Sequence, residues 1–96
     1  MREREYELIF IVHPDLDDNS FNEVVERVSG WITDAGGSIV KEERWGRKKL
    51  AYSIRKQREG QYVFMHTKMP TTFNTELDRN LRYLESVMRH MIVVIE

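Results

Sequence analysis

The chain of 96 residues contains no cysteine. That removes a disulfide framework, a thiolate zinc site and a cysteine nucleophile together. Two prolines and five glycines, none of them clustered into repeats, leave no low-complexity segment. No apolar run approaches the ~20 residues that span a bilayer. The opening Met1-Arg2-Glu3-Arg4-Glu5 mixes charges of both signs ahead of an apolar run too short for a signal peptide. Its acidic residues also argue against a transit peptide, so the expectation is a cytoplasmic protein. The length suits a single domain over residues 1–96 and is short for two. A domain of this size buries somewhat over ~60% of the surface of its unfolded chain, enough for one modest core.

Charge of one sign is also missing overall: the formal net charge is −1. The distribution is uneven, however. From Lys41 to Arg58 there are eight basic residues and two acidic ones, a balance of +6, while the rest of the chain carries seven basic and fourteen acidic, a balance of −7. A basic segment on an acidic body points to a polyanionic or acidic partner, although a solvated hairpin would show the same composition.

Hydrophobic periodicity divides the chain into six elements. Tyr6 to Val12 places Tyr6, Leu8, Phe10 and Val12 on one face and Glu7, Ile9 and Ile11 on the other. A short run apolar on nearly both sides and closed by His13-Pro14 reads as a strand from the middle of a sheet. Phe21, Val24, Val25, Val28, Ile32 and Ala35 then recur at helical spacing. Asp17 to Ser20 offer N-caps, Ser20 and Glu23 stand in capping-box register, and Gly36-Gly37 ends the helix. Ser38 to Ile54 reads as extended with a bend or bulge at Gly46, and Lys56 to Gly60 as the following turn. A third strand over Gln61 to Met69 puts Tyr62, Phe64, His66 and Lys68 on one face. Pro70 opens the next element, where Thr71 or Thr72 caps a helix lined by Phe73, Leu77, Leu81 and Leu84, and Val87 to Ile95 reads as a fourth strand.

The order βαββαβ implies an α+β fold of ferredoxin-like, split β-α-β type: a four-stranded antiparallel sheet with both helices on one face. The first and third strands are then central, and the second and fourth are edges. This architecture hosts RNA binders, regulatory modules and small enzymes, so function must come from a site.

The titratable groups form no catalytic pattern. His13, His66 and His90 fall on different strands without metal-ligand spacing, and no serine has a His-Asp partner pattern or an elbow motif. Neighbours on a strand point to opposite faces, so Glu42 and Glu43 cannot share a site. The expectation is therefore a protein with no enzymatic activity, no metal and no cofactor. Ile9, Ile11, Tyr62 and Phe64 would lie on the sheet face away from the helices. They are candidates for a protein interface or, like the aromatics of RNA-recognition domains, for base stacking. Arg58 to Met65 lacks the third-strand signature of such domains, which favours an apolar docking surface rimmed by cations.

Trp45-Gly46-Arg47-Lys48-Lys49-Leu50-Ala51-Tyr52-Ser53-Ile54-Arg55-Lys56, with Gly60 and Tyr62 behind it, resembles the signature hairpin of the bacterial small-ribosomal-subunit protein six family. Arg4 to Pro14 and Val87 to Val93 resemble that family's first and last strands, so the likeness covers essentially the whole chain. It implies a structural ribosomal protein of the cytoplasmic small subunit. With small-subunit protein eighteen, such a protein binds the central domain of the small-subunit ribosomal RNA (16S rRNA) in subunit assembly and translation. It implies neither a membrane nor a small-molecule substrate. Position by position, Arg47, Lys48, Lys49, Arg55 and Lys56 match the family's basic hairpin and become candidates for RNA or partner contact. Arg2 and Arg89 match basic positions near the open sheet edge. Leu50 and Tyr52 match family positions that could serve core or interface. Ser53 stands where the family commonly has proline, which leaves a backbone donor on a predicted edge strand. Two other readings of the same fold are a metabolite-binding regulatory module, with Gly36-Gly37 its one suggestive spot, and an acyl-phosphate hydrolase. The acidic His13-Pro14-Asp15-Leu16-Asp17 would repel the substrate of the hydrolase.

Overall fold

The computed structural model describes residues 3–95. Strand β1 runs Glu3–Val12, helix α1 Asp18–Asp34, β2 Ser38–Ile54, β3 Gln57–Pro70, α2 Phe73–Tyr83 and β4 Val87–Val94. The sheet order is β2-β3-β1-β4 with antiparallel neighbours, so β1 and β3 are central, as the two-sided apolar pattern of β1 requires.

One sheet face is closed by the helices. Leu8, Phe10 and Val12 of β1 and Val63, Met65 and Met69 of β3 have no exposed surface. They pack with Val25, Val28 and Ile32 of α1 and with Leu77 and Leu81 of α2 in one cluster. Each large apolar side chain so buried contributes on the order of 1.5–3 kcal/mol. The expected stripe of α1 is thus the buried one from Phe21 to Ile32, while Ala35 is the half-buried C-cap beyond the helix.

The caps depart in detail from expectation. Asp17, not the Ser20–Glu23 pair, caps α1: its carboxylate accepts the Ser20 N–H at 2.8 Å, and this bond lowers its pKa. At the other end the Gly36 N–H donates to the Thr33 carbonyl and the Gly37 N–H to the Ile32 carbonyl, a Schellman closure with Gly36 at φ 90°. Thr72 stands at the N-cap of α2 but makes no side-chain cap bond. Leu84 is the residue that ends α2, and it packs against the core from there. Pro70 belongs to the end of β3 rather than to the start of the helix.

The largest correction concerns the hairpin. β3 begins at Gln57, four residues before expectation, and the turn is Arg55-Lys56. Gly60 is not in a turn at all. It is buried inside β3, where an added Cβ would strike Ile11 Cγ2 and come within 3.0 Å of Met88 Cε. Close approach, not turning, is the reason for glycine there. Three irregularities shape β2: register shifts at Val40 and at Trp45, and a longer one in which residues 50–53 stand opposite Arg58 alone. Gly46, at φ 81°, accommodates the second of these, as expected of a bulge.

Candidate functional site

No helix covers the face of the sheet away from α1 and α2, and only the end of the β2–β3 hairpin reaches over part of it. Because side chains alternate along a strand, its members follow from the register. Ile9 pairs with Phe64 on one side and Met91 on the other, and Trp45 stacks on Phe64 with ring centroids 5.5 Å apart and planes 6° from parallel. Trp45, Phe64, Ile9 and Met91 therefore form an apolar row across all four strands. Ile11 sits between Tyr62 and Arg89 in the next row. The structure thus brings together the predicted Ile9, Ile11, Tyr62 and Phe64, but Ile11 is buried, so only the other three present surface.

It adds three residues that the sequence reading did not place there. Trp45 is 40% exposed, Met91 54% and Tyr52 59%, so each is accessible to solvent. Phe64, by contrast, is half-buried under the Trp45 ring. Trp45 is also held in position electrostatically. Its Nε1 donates to Glu43 at 3.0 Å, and Lys48 Nζ lies 5.2 Å from its ring centroid. The indole hydrogen bond, helped by Lys41 at 3.2 Å, lowers the Glu43 pKa, so this carboxylate stays ionised as a brace for the ring. The signal for Trp45 was its in-phase spacing with Lys41 and Glu43. Reading it required the pairing of Lys41 with His66, which sequence does not reveal.

The predicted cations lie around this face in differing environments. Lys48 is on its rim, opposite Gly60. Arg89 crosses the face to donate to the Tyr52 hydroxyl, with its guanidinium carbon 5.7 Å from that ring's centroid. Arg47 points to the helix side, where Nη2 donates to the Pro14 carbonyl at 2.7 Å and Nη1 approaches Glu59 at 3.5 Å. Arg55 reaches back to the start of β4. Lys49 and Lys56 are exposed and, among the described residues, have neither a side-chain hydrogen bond nor an ion pair. Arg2 lies outside the described residues. Leu50 is half-buried under the hairpin, and together with Ile9, Ile11, Tyr52, Tyr62 and Met91 it lines a shallow groove between hairpin and sheet.

The histidines are accounted for by local bonds. His13 Nδ1 accepts the Asp15 N–H at 3.1 Å in the turn after β1. His66 meets Glu5 at 2.7 Å on the open face, and His90 meets Asp78 at 2.7 Å on the helix side. Among the described residues no cluster of three or more His, Cys, Asp or Glu side chains could hold a metal ion. No described helix is long and apolar enough to cross a membrane.

The architecture and this face define a ferredoxin-like module with an open, partly apolar sheet and a basic hairpin. Residues 5–94 match the family model described as ribosomal protein S6. The chain is 42% identical over 90 residues to the small ribosomal subunit protein bS6 of Carboxydothermus hydrogenoformans, covering 94% of each chain. It is 39% identical over 93 residues to that of Moorella thermoacetica, covering 97% of this chain and 95% of the relative. The crystal structure of 30S ribosomal protein S6 from Thermotoga maritima superposes with a TM-score of 0.92 at 32% identity, over 98% of this chain and 89% of that one. The chain belongs to the ribosomal protein S6 family. It is accordingly a structural constituent of the cytoplasmic small ribosomal subunit.

Proposed function

We propose that residues 1–96 act as one non-catalytic domain that binds the central domain of small-subunit ribosomal RNA together with small-subunit protein eighteen. The observation that carries this is the open face itself: an apolar row spanning four strands, bordered by Lys48, Arg89 and the basic hairpin. An uncovered apolar patch with a charged rim suits a protein partner at its centre and phosphates at its edge. The stacking of Trp45 on Phe64 supports protein docking over base stacking, because the Phe64 ring already has a partner. The hairpin from Arg47 to Arg58 supplies the field that draws in a polyanion.

The test is binding of the full chain to small-subunit RNA with and without protein eighteen, across a salt series. Tight binding is expected only when both are present. If some five cations each neutralise a phosphate, log K falls with log salt at a slope of roughly −3 to −5. Unchanged binding and slope after Lys48, Lys49 and Lys56 are all replaced by glutamine would remove the hairpin as the phosphate site.

A further inference from the structure

The tip of the hairpin is turned back onto the molecule. Arg55 and Lys56 both have positive φ, 51° and 66°. Tight two-residue hairpin turns require this backbone, and asparagine or glycine usually supplies it. For longer side chains the left-handed region is unfavourable, so a turn built from arginine and lysine needs a compensating contact. Arg55 makes one. Its Nη1 donates to the Glu85 carbonyl at 2.6 Å, and its Nη2 reaches the Val87 carbonyl at 3.5 Å. Arg89 and Tyr52 tie the same two segments together a few residues away. An edge hairpin is thereby bridged to the opposite edge strand, across the width of the sheet.

This divides the cations of the hairpin. The guanidinium groups of Arg47 and Arg55 donate to backbone carbonyls of the body, at Pro14 and at Glu85 and Val87. Lys49, Lys56 and Arg58 are exposed, with no such bond among the described residues. We propose that Arg55 is a positioning residue, a latch that holds the hairpin tip over the start of β4. Charge from Lys49, Lys56 and Arg58 is then presented to phosphate. The second half of this inference rests on the RNA reading above; the first half concerns the free chain alone.

Hydrogen–deuterium exchange of the free, full chain tests the latch. Arg55→Gln is expected to speed exchange of amides 50–58 by about tenfold, because local opening loses a tertiary restraint. Lys56→Gln should leave it near wild type. Arg55→Lys keeps a donor for one carbonyl and should restore part of the protection. Wild-type exchange in Arg55→Gln would overturn the latch. With RNA and protein eighteen present, Arg55→Gln should weaken binding at every salt concentration without changing the salt slope. Lys49→Gln, Lys56→Gln and Arg58→Gln should each flatten that slope by about 0.7–0.9. A slope flattened equally by Arg55→Gln would make Arg55 a phosphate contact and overturn the division. Failure of the wild-type chain to bind RNA would refute the RNA reading and the division with it, while the exchange experiment still decides the latch.

Discussion

On β1, Leu8 and Phe10 are fully buried beneath the helices, while Ile9 between them lies half-buried on a side that no helix covers. The same contrast recurs on β3, where Val63 and Met65 have no exposed surface and the intervening Phe64 is capped only by Trp45. One sheet therefore presents two faces of similar residue type in different states. The closed face meets two amphipathic helices and gains the full transfer free energy of its side chains. The open face pairs its apolar groups only with one another and with cations at its rim. What distinguishes a core from a docking surface here is not composition but whether this chain supplies the covering layer.

The sharpest way to break that comparison is to truncate matched aromatics on the two faces. Phe10→Ala empties a fully enclosed site and should cost about 3–5 kcal/mol. Phe64→Ala loses an aromatic stack and partial burial and should cost no more than ~2 kcal/mol. Denaturant titrations of the two variants measure both values, and equal losses would mean that the open face is as much a core as the closed one.

The closed face has one polar flaw. Thr67 is completely buried, and its hydroxyl oxygen has no hydrogen-bond partner among the described residues. Valine keeps the β-branched shape that a strand favours and removes the orphaned group. Thr67→Val should therefore stabilise the chain by about 1 kcal/mol. A lower denaturation midpoint in that variant would show that the hydroxyl is satisfied in solution, and the closed face would then be less purely apolar than it looks.

The closed face was readable from sequence because period-two strands and period-3.6 helices announce which residues turn inward. That reading gave the order βαββαβ, the central position of β1 and the buried stripe of α1. The open face was only half readable. Ile9, Ile11, Tyr62 and Phe64 followed from alternation on regular strands, but β2 changes phase at its bulges, so Trp45 could not be assigned to a face. Gly60 drew the predicted turn away from Arg55-Lys56, because a buried glycine and a turn glycine look alike in sequence. Nor could the partners of Arg47 and Arg55 be read. Pro14, Glu85 and Val87 are brought to them by tertiary structure, and a backbone carbonyl leaves no trace in residue identity.

The smallest effect belongs at the margin of the closed face, where β4 meets α2. His90 Nε2 lies 2.7 Å from Asp78 Oδ1, and Arg82 Nε lies 3.1 Å from Oδ2. The hydrogen bond from His90 is the main reason that the Asp78 pKa is lowered from 3.8; desolvation opposes it, and the charge of Arg82 adds a lesser lowering. A depressed carboxylate pKa contributes stability that is present above the ordinary value and lost as the pH falls through the folded one. Asp78 is more than a third exposed, so solvent screening reduces the contribution to about 0.3 kcal/mol. Thermal melts of wild type and Asp78→Asn should differ slightly at pH values above 3.8 and converge in more acidic solution. A separation that persists in acid would come from packing of the side chain rather than from its charge. A large separation at neutral pH would make this clasp part of the closed core instead of its rim.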